Sequence, residues 1–491
     1  MQTEQIIKRS VVGAKWVLGL SLVVVPLSYA TNIILGRIGS EMLGLYGVVL
    51  IFISVITTFF FLGGNQVLVK FLPGIVEQDR IGFVLTYSVI VLSLGLLLVF
   101  ALQLNPRLLT YLLKQQAVAL QLWSYFLLLV PIILVLQICL ATLQARMEIT
   151  WMTITGKLPA VLTFLGFAVL SFLWREVFRI NGASIIGAVF LVSYLAAVIL
   201  AIYQVYISFV RPVPFRPKFS LPPGFWYFVA VVHLSTLLVF VLDNFDQAVI
   251  LWSLDIEQLG LYRAALVTGY FVRWIPLTLM QIVFPLLSNL LAGQETFVLQ
   301  EAYEKIIRYS GIVTGAVALV VVSFARQVLA LFGTDYVSAA TAMGILAMVY
   351  ALSSASTVNS SAIVASGHVG WGLLSGVVGS VLQILVSLLL IGQLGLLAAA
   401  LGKAGNLLCI TILNGWFVWH RLKLTVDRRV LWLFLIEFLL TAIALVTAPR
   451  GAELLLLRNM LLGAVFCYTL FRLKLVNKQD YQQARRLLFP N

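Results

Sequence analysis

Residues 250–273 read ILWSLDIEQLGLYRAALVTGYFVR, and residues 34–50 read ILGRIGSEMLGLYGVVL. At an offset of 216 residues the second stretch faces Ile250–Leu266, and eight of the seventeen positions are identical. The shared run is Leu-Gly-Leu-Tyr, at Leu43–Tyr46 and Leu259–Tyr262. Each copy joins two long apolar runs through a short turn, which predicts a helix–turn–helix used twice. Such self-similarity marks a chain built from one unit written twice.

The rest of the composition says what kind of unit. Of 491 residues, 62% are hydrophobic and 10% are charged. Soluble domains carry roughly 25% charged residues, so this chain cannot coat itself with a solvated surface. Many runs reach about 20 apolar residues, the length that crosses a bilayer core. They are continuously apolar rather than alternating, which excludes a transmembrane β-barrel. The expectation is an all-α polytopic membrane protein with about 14 transmembrane helices. Spans are predicted near 11–35, 42–63, 81–104, 117–143, 156–174, 183–208, 224–252, 258–291, 305–332, 337–364, 369–393, 395–419, 430–448 and 453–472.

The longest connection, 209–223, holds five prolines and falls where a duplication of six helices places its link. The expected organisation is an N-lobe at 1–210 (helices 1–6), a proline-rich cytoplasmic linker at 211–223, a C-lobe at 224–425 (helices 7–12), and two further helices with a cytoplasmic tail at 426–491. Weaker matches keep the same order: LQARMEITW at 143–151 with IVASGHVGW at 363–371, and NGASIIGA at 181–188 with LGLLAAALG at 394–402. Six is even, so both halves enter the membrane from one side. They are expected to form two six-helix lobes related as parallel repeats, enclosing a central cleft.

The net charge of +14 is explained by topology. Of 32 Lys and Arg, 21 fall in segments on the N-terminal side and eight on the other, while Arg263, Arg273 and Lys403 lie within spans. The bias puts both termini in the cytoplasm and argues against nucleic acid as a partner. Lys8 and Arg9 precede a first span that runs on into a second, an uncleaved start. Cys139, Cys409 and Cys467 lie far apart in apolar segments, as neither a disulfide framework nor a metal site.

Ionisable groups at membrane depth are costly and raise a functional hypothesis. With the hairpin turn at Asp255, Asp246 lies nine residues before it and Arg263 eight after, about 13 and 12 Å deep. They stand level, so a structural ion pair competes with a substrate or ion role. Asp243 is one turn from Asp246 on the same face, and two carboxylates so close make a candidate proton or cation site. Arg273 has no acid at its level on the preceding helix, and the span before Lys403 has none at all. Both are therefore expected to face a wet cavity, where a guanidinium would bind phosphate bidentately and an ammonium as a point charge. Arg37 has Glu41 four residues on, a local pair with an entry role as the minority reading. Glu437 is a lone acid within span thirteen, with no role assigned.

The segments ILGRIGSEMLGLYGVVLIF (34–52), FFFLGGNQVLVKFLP (59–73), DNFDQAVIL (243–251), LGLYRAALVTGYF (259–271) and FPLLSN (284–289) carry a resemblance. The chain resembles, over nearly its whole length, the polysaccharide flippases of the multidrug/oligosaccharidyl-lipid/polysaccharide exporter superfamily. The resemblance implies two lobes alternating between inward- and outward-open states. It implies a cationic central cavity that carries an undecaprenyl-pyrophosphate-linked oligosaccharide between leaflets of the bacterial inner membrane. The lipid II flippase branch is similar and places arginines on helices one, two and eight. Here helix eight has Arg263 and Arg273, while helix one has Lys15 and Arg37 at its ends and helix two has Lys70 at its inner end.

The expected function is transport of a lipid-linked oligosaccharide for surface polysaccharide biosynthesis. Arg273, Arg263, Lys403 and Arg37 are the candidate substrate-binding residues. Asp243 and Asp246 are the candidate ion-coupling residues, with H+ or Na+ as the coupling ion and no cofactor. Membrane lipids and other polysaccharide-assembly proteins are the expected partners. A cation-coupled multidrug exporter would want acids in the cavity, and Arg263, Arg273 and Lys403 weigh against it. An enzyme joining lipid-linked sugars is disfavoured, because the sequence has no Asp-x-Asp pair and no sizeable outer loop.

Overall fold

In hydrocarbon no water is available to backbone N–H and C=O groups, so a continuously apolar segment satisfies them within itself as a helix. The computed structural model describes residues 2–105, 116–173, 175–211, 221–292, 296–447 and 451–475. Among the described residues the chain is helical with no strand, and thirteen segments are long and apolar enough to cross a membrane. They follow the predicted spans in order. The predicted eighth span is the 37-residue helix Ile256–Ala292, which is not one of the thirteen. The protein is an all-α polytopic membrane protein.

Its contacts divide it into two compact units, Met1–Arg263 and Ala264–Asn491. The first holds α1 (Gln2–Ile38), α2 (Ser40–Val55), α3 (Asn65–Phe71), α4 (Arg80–Leu104), α5 (Gln116–Ala145), α6 (Ile149–Leu173), α7 (Arg175–Ile180), α8 (Gly182–Val205) and α9 (Phe225–Ser253). Helix α1 lies on α6, α6 on α8 and α8 on α5, which also carries α3 and α4. Helix α9 rests on α2 and α3, so it counts with this unit although the proline-rich link precedes it. Residues 212–220 of that link, and the tail 476–491, lie outside the described residues.

The predicted second span is a helix, a bend and a short helix. Helix α2 runs into a π-helical turn at Ile56–Phe60, and the chain then bends at Gly63 and Gly64, whose φ angles are 73° and 61°. Such left-handed angles come without steric cost to glycine. On α4 the Tyr87 hydroxyl donates to the Leu62 carbonyl at 2.9 Å and fastens the bend.

Helix α10 (Ile256–Ala292) begins in the first unit, to Arg263, and continues into the second. The second unit adds α11 (Thr296–Ser323), α12 (Ala325–Ala330), α13 (Ala340–Leu352), α14 (Ser354–Ala365), α15 (Val369–Leu394), α16 (Leu396–Arg421), α17 (Arg428–Val446) and α18 (Ala452–Arg472). The predicted tenth span is split between α13 and α14. At the break the Ser353 hydroxyl donates to the Tyr350 carbonyl at 3.2 Å, the local bonding by which serine competes with a helix's own ladder. Helix α16 packs on α15, α13 and α14. Helix α11 touches α13, α14, α17 and α18, so the last two helices are seated on it.

Candidate functional site

The two copies of Leu-Gly-Leu-Tyr meet through their glycines. A Cβ on Gly44 would overlap the Ile256 carbonyl oxygen, and one on Gly260 would overlap that of Ser40. Glycine is the residue that lets backbones approach this closely. The crossing brings the start of α10 against α2, and the tyrosine of each copy then serves the same charge cluster.

Arg263 leaves α10 beside that crossing and is 8% exposed. Its Nε donates to the Asn32 Oδ1 at 3.1 Å and its Nη1 to the Gln247 Oε1 at 2.9 Å. Its guanidinium carbon lies 4.9 Å from the ring centre of Tyr46. That ring is held by Phe190 and Phe167, with centroids at 5.5 and 5.9 Å. Asn32 is oriented for the task, because its Nδ2 donates back to the Ser28 carbonyl at 2.6 Å. The Tyr262 hydroxyl donates to the Oδ2 of Asp246 at 2.6 Å, and Asp246 is completely buried.

Asp246 and Arg263 stand close together across the hairpin, and Gln247 bonds the guanidinium as well. The turn falls at Leu254 and Asp255, where the Asp255 Oδ1 accepts from the Gln258 N–H at 2.7 Å. The guanidinium takes the amide of Gln247, the residue after Asp246, while the Asp246 carboxylate takes Tyr262. Asp246 is close enough to attract the guanidinium through space. A buried cation and a buried anion thus stand side by side with neutral groups bonded to each. Opposite charges buried side by side, each with further hydrogen bonds, compensate one another. Asp243 lies one turn away, half-buried, and its carbonyl accepts from the Gln247 Nε2 at 3.5 Å. Arg37 is exposed in the last turn of α1.

In the second unit Arg273 lies midway along α10 and keeps partial exposure. Its guanidinium carbon is 5.4 Å from the ring centre of Tyr270 and 5.8 Å from that of Tyr350. The two rings meet edge to face, 6.3 Å apart at 82°. Aromatic faces hold a guanidinium by their quadrupole and leave its charge in place. Lys403 is 1% exposed, within the packing of α16, rather than on an open surface. Beside it in sequence, the Asn406 Nδ2 donates to the Gln383 Oε1 on α15 at 2.6 Å.

Asn32, Gln247, Gln383 and Asn406 escape a search for ionisable groups because they are neutral amides. Their signal is polarity at membrane depth, where an amide without a partner is costly. Tyr46 and Tyr262 were visible in the repeat itself. Among the described residues no cluster of His, Cys, Asp and Glu could hold a metal ion.

No protein-family model and no curated protein sequence matches the chain. Solved structures do. "Lipid II flippase MurJ, inward closed conformation" aligns with 92% of this chain and 99% of its own, at a TM-score of 0.71 and 13% identity. A MATE-family multidrug resistance transporter of the MOP superfamily aligns in its inward-facing conformation with 84% of this chain and 98% of its own, at a TM-score of 0.65 and 15% identity. An outward-facing conformation of such a transporter aligns with 85% and 95%, at 0.57 and 17% identity. At these identities the likeness is one of fold: the chain shares the fold of these solved flippase and multidrug-transporter structures.

Proposed function

We propose that this protein flips a polyprenyl-pyrophosphate-linked oligosaccharide from the cytoplasmic to the outer leaflet, by alternating access through a cationic cavity. The observation that carries this reading is Arg273, a partly exposed guanidinium midway along a membrane helix and set on Tyr270 and Tyr350. Rings position the group without neutralising its charge, and that charge is what attracts an anion. A pyrophosphate-sugar head group cannot cross hydrocarbon unaided, and a guanidinium binds phosphate oxygens as a fork. Arg263 and Lys403 are the further cations of this reading, and Arg37 serves entry. The protein then sits in the bacterial inner membrane with both termini in the cytoplasm, as the basic residues are distributed. A lipid-linked substrate also agrees with the description of the flippase that shares the fold.

Asp246 and Asp243 on α9 favour a second reading, a cation-coupled exporter, in which they load H+ or Na+. Lipid II is the third candidate cargo. Depletion separates the three. Accumulation of an inner-leaflet lipid-linked oligosaccharide supports the first reading, accumulation of lipid II the third, and accumulation of neither the exporter. Replacing Arg273 by Ala should abolish surface-polysaccharide export while the protein inserts at normal yield. Unchanged export would remove Arg273 from the site.

A further inference from the structure

Glu437 stands nine residues from each end of α17, at the centre of a 19-residue helix. That is about 14 Å from either end, the middle of a hydrocarbon core about 30 Å thick. It is 3% exposed. A Cβ built on Gly315 of α11 would overlap its carboxyl carbon and Oε1 and stand 2.7 Å from Oε2. The carboxyl therefore lies on bare backbone. One turn earlier, a Cβ on Gly311 would stand 3.0 Å from the Phe434 ring. Gly311 and Gly315 share a face of α11, and α17 is seated on that face.

Among the described residues neither carboxyl oxygen has a hydrogen-bond partner. Helix α17 packs against α11, α13 and α18. On α11 the titratable and charged side chains are Glu301, Tyr303, Glu304, Lys305, Arg308 and Tyr309. All lie at least six residues, about 9 Å, before Gly315. Helix α13 carries Tyr350, which faces Arg273. On α18, Glu453 and Arg458 lie toward the other end of α17, where Arg458 donates to the carbonyls of Ala444 and Thr447. Cys467 and Tyr468 are exposed, and Arg472 ends the helix. Arg428 and Arg429 of α17 itself are eight or nine residues away.

An isolated ionised carboxylate in such a place costs several kcal/mol even after relaxation, far more than the neutral acid. We propose that Glu437 is a proton-binding site: its carboxyl carries a proton while α17 lies on the Gly311–Gly315 face, and loss of that proton to water parts α17 from α11. Ionisation breaks the carboxyl O–H, and the carboxylate must then meet water. The bare backbone of Gly315 offers no group to replace it, so water enters when the two helices separate. The site gives a role to α17 that depends on no choice of cargo.

The test uses the full chain reconstituted in lipid nanodiscs. Infrared spectra at neutral pH should show a protonated carboxyl carbonyl band that shifts in D2O and is lost in Glu437→Gln. Hydrogen exchange of α17 is then followed across alkaline pH for both proteins, so that their comparison cancels the intrinsic pH dependence. Wild-type exchange should match the variant at neutral pH and rise relative to it by about tenfold per pH unit beyond the titration. Glu437→Met should stay protected like Glu437→Gln, which supplies the comparison should the Gln variant fold poorly. A band that survives in both variants, or equal exchange in wild type and variant at every pH, overturns the proposal. Because no substrate enters the measurement, its failure leaves the flippase reading untouched.

Discussion

Replacing Gly260 by Ala should separate α2 from α10. The new methyl group would overlap the Ser40 carbonyl oxygen and stand 2.9 Å from the Ser40 carbonyl carbon and 3.0 Å from the Gly44 nitrogen. Favourable heavy-atom contacts lie near 3.5–4.0 Å. The carbon alone therefore asks for about 0.6 Å of movement, and the overlapped oxygen for about 1 Å or more. Every obstacle is backbone, so no side chain can turn aside and the helices themselves must part. Overpacking of this kind costs about 1–3 kcal/mol, and the upper end is expected here.

Thermal unfolding of the purified protein, followed by tryptophan fluorescence in one detergent, measures it. Gly19→Ala is the control, because a Cβ there meets nothing within 4 Å and Ala in a helix gains about 0.5–1 kcal/mol over Gly. Gly260→Ala should melt lower than wild type and Gly19→Ala no lower. Gly44→Ala should behave as Gly260→Ala does. The double variant should cost less than the two singles added, since one separation relieves both clashes. If Gly260→Ala melts with Gly19→Ala, the close crossing of the two repeats is wrong.

Tyr262→Phe removes the donor to Asp246 and leaves a buried carboxylate short of a bond, at a cost of about 1.5–3 kcal/mol. The same melting assay checks it, and an unchanged midpoint would mean that the 2.6 Å bond is not made. Arg263→Lys keeps the charge but cannot reach Asn32 and Gln247 with one rigid fork, so it should lose about 2 kcal/mol. Full stability with Lys would show that charge, not geometry, holds the cluster.

Much of this protein is legible along the chain. Apolar runs of span length dictate helices, because hydrocarbon offers the backbone no other partner. The repeat at Leu43–Tyr46 and Leu259–Tyr262 marks the two segments that meet through Gly44 and Gly260. Depth is legible as well, since a fixed rise per residue from the turn at Asp255 puts Arg263 level with Asp246 and Gln247. Tertiary packing decided the rest. Which neighbour takes the guanidinium depends on rotation about the helix axis and on a side chain 231 residues away, Asn32. The break at Ser353, the close burial of Lys403 and the bare glycine backbone beneath Glu437 likewise follow from which helix lies against which. Distance along one helix is a property of one segment, and a side chain's partner is a property of two.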